Sequence, residues 1–222
     1  MQALLFDIDG TLIHTAGSGK AALQIAFAEV FDRPLPEEID MVGRTDRGIL
    51  ADLFRRHGIE DTLVNWERWC TAYVRHLVEE LPLRAGRILP GVVSLLEQLA
   101  RRGDTALGLL TGNASQGARI KLEHFGLGHH FRFGGFGDWQ PERNGVAAEA
   151  LAAARRFVGQ DLPAARVWVI GDTPLDVQCA RHIGAHAVAV SSGFAPRAEL
   201  ARAQPDLLLS SLEEADQLLA QL

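Results

Sequence analysis

Short apolar runs recur along the chain and predict β-strands. The first, residues 3–8, is almost continuously apolar and is ended by Asp9-Gly10, which is typical of a strand buried on both faces of a parallel sheet. Similar runs lie at residues 105–110, near 131–133, at 166–170, at 186–190 and, more weakly, at 207–209.

Apolar residues at helical spacing separate these runs. Val92, Leu95, Leu96 and Leu99 follow i, i+3, i+4, i+7 spacing, and comparable stripes lie within residues 146–157 and 212–219. Strand and helix alternate from about residue 84, which predicts right-handed βαβ units. We therefore expect an α/β fold whose core is a doubly wound, Rossmann-like parallel sheet.

Residues 14–83 interrupt this alternation with helical patterns only. The apolar stripes there are Leu23, Phe27, Val30 and Phe31; Ile49, Leu50, Leu53 and Phe54; and Leu63, Trp66, Trp69, Tyr73 and Leu77. This predicts a helical subdomain at 14–83, inserted between two parts of the core at 1–13 and 84–222. We expect Trp66, Trp69 and Tyr73 to be core of that subdomain rather than a stacking platform.

Composition and charge limit the classes of partner. The 222 residues are 47% hydrophobic and carry a formal net charge of −6, so the overall field attracts no polyanion and nucleic acid is not an expected partner. No apolar run reaches the length of about 18 residues that a membrane span needs. Cys70 and Cys179 offer no disulfide framework, which suits a reducing compartment. We expect a cytoplasmic monomer or homodimer.

Three polar loops directly follow predicted strands. Ligands of open α/β sheets bind outside the carboxyl ends of the strands, so these loops should converge on one crevice. They are Asp7-Ile8-Asp9-Gly10-Thr11, Thr111-Gly112-Asn113 and Gly171-Asp172-Thr173-Pro174-Leu175-Asp176.

Each loop also has a purely structural interpretation. Asp9-Gly10 favours a turn, and Thr111 or Asn113 is a good helix N-cap. Thr173 as N-cap with Pro174 and Asp176 after it forms a capping-box-like arrangement. None of these explains Asp7, because an unpaired carboxylate inside an apolar strand is costly.

The carboxylates themselves predict a cation. Asp7, Asp9 and Asp172 at adjoining strand ends would repel one another and raise one another's pKa unless a hard cation lay between them. The expected ion is Mg²⁺, which accepts oxygen ligands and a substrate phosphate.

Four features, in their order along the chain, resemble the sequence motifs of the haloacid dehalogenase superfamily. They are Asp7-x-Asp9-Gly-Thr11 as the first motif, Thr111 after a second strand, a basic residue as the third motif, and Gly171-Asp172-x-x-x-Asp176 as the last. The resemblance covers the whole chain, and the inserted helices lie where phosphatases similar to phosphoglycolate phosphatase carry a helical cap. The haloalkanoic acid dehalogenases lack the second aspartate of the first motif, so Asp9 favours phosphoryl transfer to a small phosphorylated metabolite.

The resemblance implies a role for each motif residue. Asp7 would be the nucleophile that forms an aspartyl-phosphate, and Asp9 would be the general acid and base. The implied roles of the remaining residues are Mg²⁺ ligation by the Asp7 carboxylate, the Asp9 carbonyl and Asp172; phosphate binding by Thr111 and the amides of Gly112 and Asn113 at a helix N-terminus; and support from Thr11 and Asp176.

The basic residue of the third motif is usually a lysine followed by proline, and this chain departs from that pattern. The segment Gln140-Pro141-Glu142-Arg143-Asn144-Gly145 offers Arg143 ahead of a helix from about Val146, and arginine is a reasonable partner for phosphoryl charge. A solvated surface arginine is the alternative. Lys121 lies on another helix and is not expected to compete.

Gly17-Ser18-Gly19-Lys20 resembles the end of a nucleotide-binding loop but fails its pattern. A P-loop needs a first glycine where His14 stands and a hydroxyl residue where Ala21 stands. We expect the segment to open the first helix of the subdomain with Ser18 as N-cap, and residues 14–19 to move with substrate.

Two further polar features have less specific patterns. Arg44, in a loop before a predicted helix, would reach a substrate carboxylate or phosphate if it faces the site, and is otherwise a residue at a helix start. His129-His130 lacks a third ligand at zinc spacing and is expected to be loop.

The sequence therefore predicts a Mg²⁺-dependent phosphatase acting through an aspartyl-phosphate, similar to phosphoglycolate phosphatases. The alternative is a phosphomutase of the β-phosphoglucomutase type, which shares the fold and nucleophile. A non-catalytic binding protein is disfavoured by the intact carboxylates.

Overall fold

The structure, a computed structural model, describes residues 1–36, 39–159 and 161–222. In chain order its strands are β1 (Gln2–Phe6), β2 (Ile13–His14), β3 (Arg87–Ile88), β4 (Thr105–Leu110), β5 (Phe133–Gly135), β6 (Val167–Gly171), β7 (His186–Val190) and β8 (Leu207–Leu209). Its α-helices are α1 (Ser18–Phe31), α2 (Asp46–His57), α3 (Leu63–Glu80), α4 (Val92–Ala100), α5 (Ser115–His124), α6 (Arg143–Val158), α7 (Pro174–Ile183), α8 (Arg197–Arg202) and α9 (Asp216–Leu219).

Six of the strands form one parallel sheet in the order β5-β4-β1-β6-β7-β8. Helices cover both faces, so the predicted α/β fold with a doubly wound parallel sheet is confirmed. The runs at 105–110, 186–190 and 207–209 match their strands, whereas the run near 131–133 lies early, because β5 begins at Phe133.

The central strand β1 is buried on both faces. Leu4 and Phe6 point into a hydrophobic cluster with α4 and α5, and Ala3 and Leu5 point into a second cluster with α6 and α7. This explains why the first apolar run is continuous rather than alternating. The strand itself ends at Phe6, although the Asp7 amide still donates to the Ile170 carbonyl at 2.9 Å.

Helices α1, α2 and α3 form the predicted helical subdomain around a third hydrophobic cluster. Trp66, Trp69 and Tyr73 are buried in it, and the Trp69 and Tyr73 rings stack with centroids 4.8 Å apart, so their interpretation as core is confirmed. The boundaries 14–83 remain a prediction, and residues 37 and 38 within them lie outside the described residues.

The chain leaves and re-enters the core through paired segments. β2 pairs antiparallel with β3, with Ile13 opposite Ile88 and His14 opposite Arg87. Both connections to the helical subdomain therefore lie side by side next to the first motif.

The start of α1 differs from prediction. Ser18 is not the N-cap; Gly17 caps the helix in a left-handed conformation with φ of 86°, which glycine adopts without strain. The Ser18 hydroxyl instead donates to the Thr15 carbonyl at 2.8 Å. Movement of residues 14–19 with substrate stays a prediction.

Within the described residues, none of the helices combines the length and apolar character needed to cross a membrane.

Candidate active site

The three predicted loops meet at the carboxyl edge of β1, β4 and β6. They border a pocket of about 270 Å³ whose lining includes Asp7, Asp9, Asn113, Lys121 and Arg143. The helical subdomain supplies the opposite wall, including Gly19, Lys20, Arg44, Asp46 and Tyr73.

A buried cluster of carboxylates lies at the base of the site. Asp7, Asp172 and Asp176 each offer an oxygen, and these oxygens lie within 4.8 Å of one another. Arg143 contacts two of them: its Nη2 lies 3.5 Å from Asp7 Oδ2 and donates to Asp176 Oδ1. The structure thus brings Arg143 into the site as the first residue of α6, and not ahead of that helix as expected.

Burial and mutual repulsion set the protonation of this cluster. Burial raises the pKa of Asp7 to about 6, with the Asp176 and Asp9 carboxylates adding to the rise and Arg143 opposing it. Burial, followed by Asp176 and Asp7, raises the pKa of Asp172 to about 8. Burial by itself would lower the pKa of Arg143, but Asp176 and Asp7 hold that pKa above its ordinary value.

The first motif and the loop near Phe194 position Asp172. Thr11 Oγ1 donates to Asp172 Oδ1 at 3.3 Å, and the Phe194 amide donates to Oδ2 at 2.7 Å. Gly10 has φ of 84°, and a Cβ there would collide with the Asp172 carboxylate. Position 10 therefore requires glycine for both its conformation and this close approach.

Asp9 is held away from the carboxylate cluster by two donors. Lys121 Nζ lies 2.6 Å from Asp9 Oδ2, and Asn113 Nδ2 donates to the same oxygen at 2.9 Å. Lys121 lies on the buried face of α5 and its side chain reaches the pocket, but the contacts with Asp7 and Asp176 are made by Arg143. Thr111 Oγ1 accepts from Asn113 Nδ2 at 2.8 Å.

The loop predicted to bind phosphate, residues 111–113, lies directly before α5. The first amides of α5 do not face the pocket, because the Ala114 amide donates to Asp46 Oδ2 at 2.7 Å and the Ser115 amide donates to Asp138 Oδ2 at 2.8 Å. The Asn113 amide donates to Thr111 Oγ1 at 3.3 Å. Among residues 1–36, 39–159 and 161–222, the Thr111 hydroxyl and the Gly112 amide donate to no acceptor.

The third loop caps α7 and also contacts Arg143. The Thr173 amide and hydroxyl donate to Asp176 Oδ2 at 3.0 and 2.6 Å, which is the expected capping of α7. The other oxygen of Asp176 accepts from Arg143. Asp176 therefore fixes the helix start and the site cation together.

Arg44 lines the pocket but is already paired. Its guanidinium contacts Asp52 and donates to the Gly48 carbonyl at 3.3 Å. Its own carbonyl packs so closely on Gly112 that a Cβ at position 112 would collide with it. Contact between Arg44 and a substrate remains a prediction.

The donor set of the cluster fits a hard divalent cation. Asp7, Asp172 and Asp176 supply oxygen atoms only, as Mg²⁺ or Ca²⁺ prefers, and it is the one such cluster found in the described part of the chain. The Asp9 side chain lies outside it, so only its carbonyl remains available as the predicted ligand. His129 and His130, in a 3₁₀ turn at Gly128–His130, belong to no such cluster there.

Comparisons with known proteins agree with this geometry. The family profile described as haloacid dehalogenase-like hydrolase matches residues 4–181. A phosphoglycolate phosphatase of Synechococcus elongatus is 31% identical over 224 residues, covering 100% of this chain and 99% of the relative. A phosphoglycolate phosphatase of Rhodospirillum rubrum is 30% identical over 201 residues, covering 87% and 80%.

A solved structure has the same fold. CbbY of Rhodobacter sphaeroides, in complex with phosphate, superimposes with a TM-score of 0.77 at 22% identity and covers 97% of this chain and 96% of that one. The chain belongs to the haloacid dehalogenase-like hydrolase family. Its enzyme class is that of a phosphoric monoester hydrolase.

Three residues make contacts at the site that the sequence did not predict: Asp46, Asp138 and Lys121. Asp46 and Asp138 act across long sequence separations that no local pattern reveals. The burial of Lys121 could have been predicted from helical periodicity, because Lys121 shares the apolar face of α5 with Ala118 and Leu122. Helical side chains point toward the helix N-terminus, which here is the carboxyl edge of the sheet.

The raised pKa values predict how stability depends on pH in metal-free buffer. The folded chain holds protons on Asp7 and Asp172 that the unfolded chain releases near pH 3.8. The free energy of unfolding should therefore fall as pH rises from about 4 to about 8. Urea denaturation in EDTA at several pH values measures this slope.

Asp172→Asn should flatten the slope between pH 6 and 8, because the amide does not titrate. Asp216→Asn, which changes an exposed carboxylate on α9, should leave it unchanged. A slope in Asp172→Asn equal to that of the wild type would contradict this assignment.

Proposed function

We propose that this protein is a Mg²⁺-dependent phosphatase that hydrolyses a small phosphorylated carboxylate of the 2-phosphoglycolate type through an aspartyl-phosphate on Asp7. The observation that carries the proposal is the position of Asp7, buried at the end of β1 with its Oδ2 3.5 Å from Arg143 Nη2 and its oxygens beside Asp172 and Asp176. The names of the relatives support the choice of substrate.

Asp7 acts as the nucleophile in the first step. A carboxylate oxygen attacks phosphorus and forms an O–P bond while the bond from phosphorus to the leaving oxygen breaks. Arg143 lowers the pKa of Asp7 against the effect of burial and offers positive charge to the transferring phosphoryl group. Arg143 Nε is buried without a hydrogen-bond partner in the described residues.

Asp9 moves the protons. Its carboxyl donates a proton to the leaving oxygen as that bond breaks, and its carboxylate then takes a proton from the water that attacks phosphorus. Inorganic phosphate leaves and the Asp7 carboxylate is restored. Asp9 suits this task because it borders the pocket while lying outside the carboxylate cluster.

Thr111 and Gly112 bind the phosphate oxygens in this proposal. The hydroxyl of Thr111 and the amide of Gly112 lack acceptors among the described residues, and the loop that carries them borders the pocket. These donors fix the phosphoryl group relative to Asp7.

Mg²⁺ would be held by Asp7, Asp172 and the Asp9 carbonyl, with Asp176 beside it, and would supply positive charge that offsets repulsion between Asp7 and the phosphate. The surrounding side chains are oriented by contacts within the protein. Thr11 and the Phe194 amide orient Asp172, and Asp176 orients Arg143.

The helical subdomain, residues 14–83, acts as a cap over the site and selects the leaving group. Its pocket wall combines apolar Met41 and Ile49 with basic Lys20 and Arg44. A pocket of about 270 Å³ with this lining suits a short organic acid better than a nucleotide. A closed cap also excludes water from the first step.

Phosphate release from a panel of phosphorylated metabolites tests the substrate class. We expect 2-phosphoglycolate to be hydrolysed most efficiently, EDTA to abolish turnover, and Mg²⁺ to restore it. Asp7→Asn should lower kcat by about 10³-fold or more because the nucleophile is lost, while Asp104→Asn, on an exposed carboxylate, should not.

The same panel separates hydrolysis from the mutase alternative. A phosphomutase converts a sugar 1-phosphate to its 6-phosphate without net release of phosphate. That result, or full activity in EDTA, would contradict the proposal.

Arg143 provides a further test. Arg143→Lys should lower kcat/KM about 10²-fold, because lysine keeps the charge but loses the planar guanidinium whose Nη2 contacts both Asp7 and Asp176. Arg132→Ala, on an exposed arginine near β5, is the control. Activity of Arg143→Lys and Arg143→Ala within a few-fold of wild type would remove Arg143 from the reaction.

A further inference from the structure

Lys121 is a buried lysine that the motifs of the site do not include. Its side chain is 5% exposed, and its Nζ donates to Asp9 Oδ2 and to Asn113 Oδ1, each at 2.6 Å. Burying an ammonium group is costly unless it is paired and hydrogen-bonded. The pairing with Asp9 therefore offsets a large desolvation cost and places one specific carboxylate.

The geometry around Asp9 is asymmetric. Asp9 Oδ2 accepts from both Lys121 Nζ and Asn113 Nδ2, at 2.6 and 2.9 Å. In the described residues nothing donates to the other oxygen, Asp9 Oδ1. One oxygen is thus held in place while the other stays available in the pocket that Asp9 lines.

The helical subdomain closes over Lys121. A Cβ at Gly19 would lie 3.3 Å from Lys121 Nζ and 3.8 Å from the Tyr73 hydroxyl, so α1 packs directly over the ammonium group and Tyr73 of α3 lies beside Gly19. The chain contains two lysines against twenty arginines, and both lysines line this pocket. A compact ammonium fits beneath Gly19, where a planar guanidinium would need more room.

We propose that Lys121 is a positioning residue that fixes the Asp9 carboxyl, through Oδ2, for proton transfer to the leaving-group oxygen from Oδ1. This inference rests on the proposed function, since it takes Asp9 as the proton donor of the first step. Lys121 does not contact the phosphoryl group; Arg143 is the residue that offers positive charge to it.

The leaving group distinguishes positioning of the acid from binding of phosphate. An alkyl phosphate such as 2-phosphoglycolate releases a strongly basic alkoxide and depends on a proton donor. 4-Nitrophenyl phosphate releases a phenolate that is stable near neutral pH and depends on it little. Because kcat/KM reports the steps up to formation of the phospho-enzyme, the ratio of kcat/KM between the two substrates isolates the role of Asp9 in that step.

The test compares Lys121→Met, Asp9→Asn and the double variant with both substrates. Lys121→Met should lower kcat/KM for 2-phosphoglycolate about 10²-fold and for 4-nitrophenyl phosphate only a few-fold. In the Asp9→Asn background it should cause no further loss, because its effect passes through Asp9. Arg119→Met removes an exposed positive charge from the same helix and should leave both values unchanged.

Equal losses with the two substrates, or an additive loss in the Asp9→Asn background, would overturn the proposal and assign Lys121 to phosphate binding. Circular dichroism monitors folding; Lys121→Gln, which keeps a donor, repeats the comparison with a smaller expected split if the methionine variant is unfolded. A wild-type chain that hydrolyses both substrates while the variant loses them equally contradicts this inference alone. A wild-type chain that hydrolyses neither overturns the proposed function as well.

Discussion

The site depends on three carboxylates buried together at one edge of the sheet. Asp7, Asp172 and Asp176 repel one another at distances that burial makes costly, and Arg143 is the cation that contacts two of them. An arrangement of this kind is unfavourable for stability unless further positive charge is bound. In the proposed function, the same cluster of carboxylates binds a cation and includes the nucleophile Asp7, which accounts for its cost in stability.

Much of this arrangement could be predicted from the sequence, because its causes are local. A continuous apolar run predicts a strand buried on both faces, and β1 at Gln2–Phe6 is such a strand. Polar residues that follow strands must lie at the carboxyl edge of a parallel sheet, and this predicts that Asp7 and Asp172 lie close together. The capping of α7 by Thr173 and Asp176 could also be predicted from the sequence, because the two residues lie within one helical turn.

The remainder could not be predicted because it depends on how the helical subdomain packs on the core. Helical periodicity places Lys121 on a buried face, but it does not say which carboxylate lies at the end of a long flexible side chain. The hydrogen bond from the Ala114 amide to Asp46 joins residues 68 positions apart, and no sequence pattern in either segment predicts it. These contacts are tertiary, and they decide which side chains stay free for a ligand.

Chemical trapping of the phospho-enzyme tests the central claim most directly. Acid quenching during turnover of 2-phosphoglycolate, followed by borohydride reduction, converts an aspartyl-phosphate into homoserine that peptide mass spectrometry can locate. The account predicts homoserine at position 7, dependent on substrate and absent from Asp7→Asn. Homoserine at position 9 or 172, or phosphate on a histidine, would contradict it.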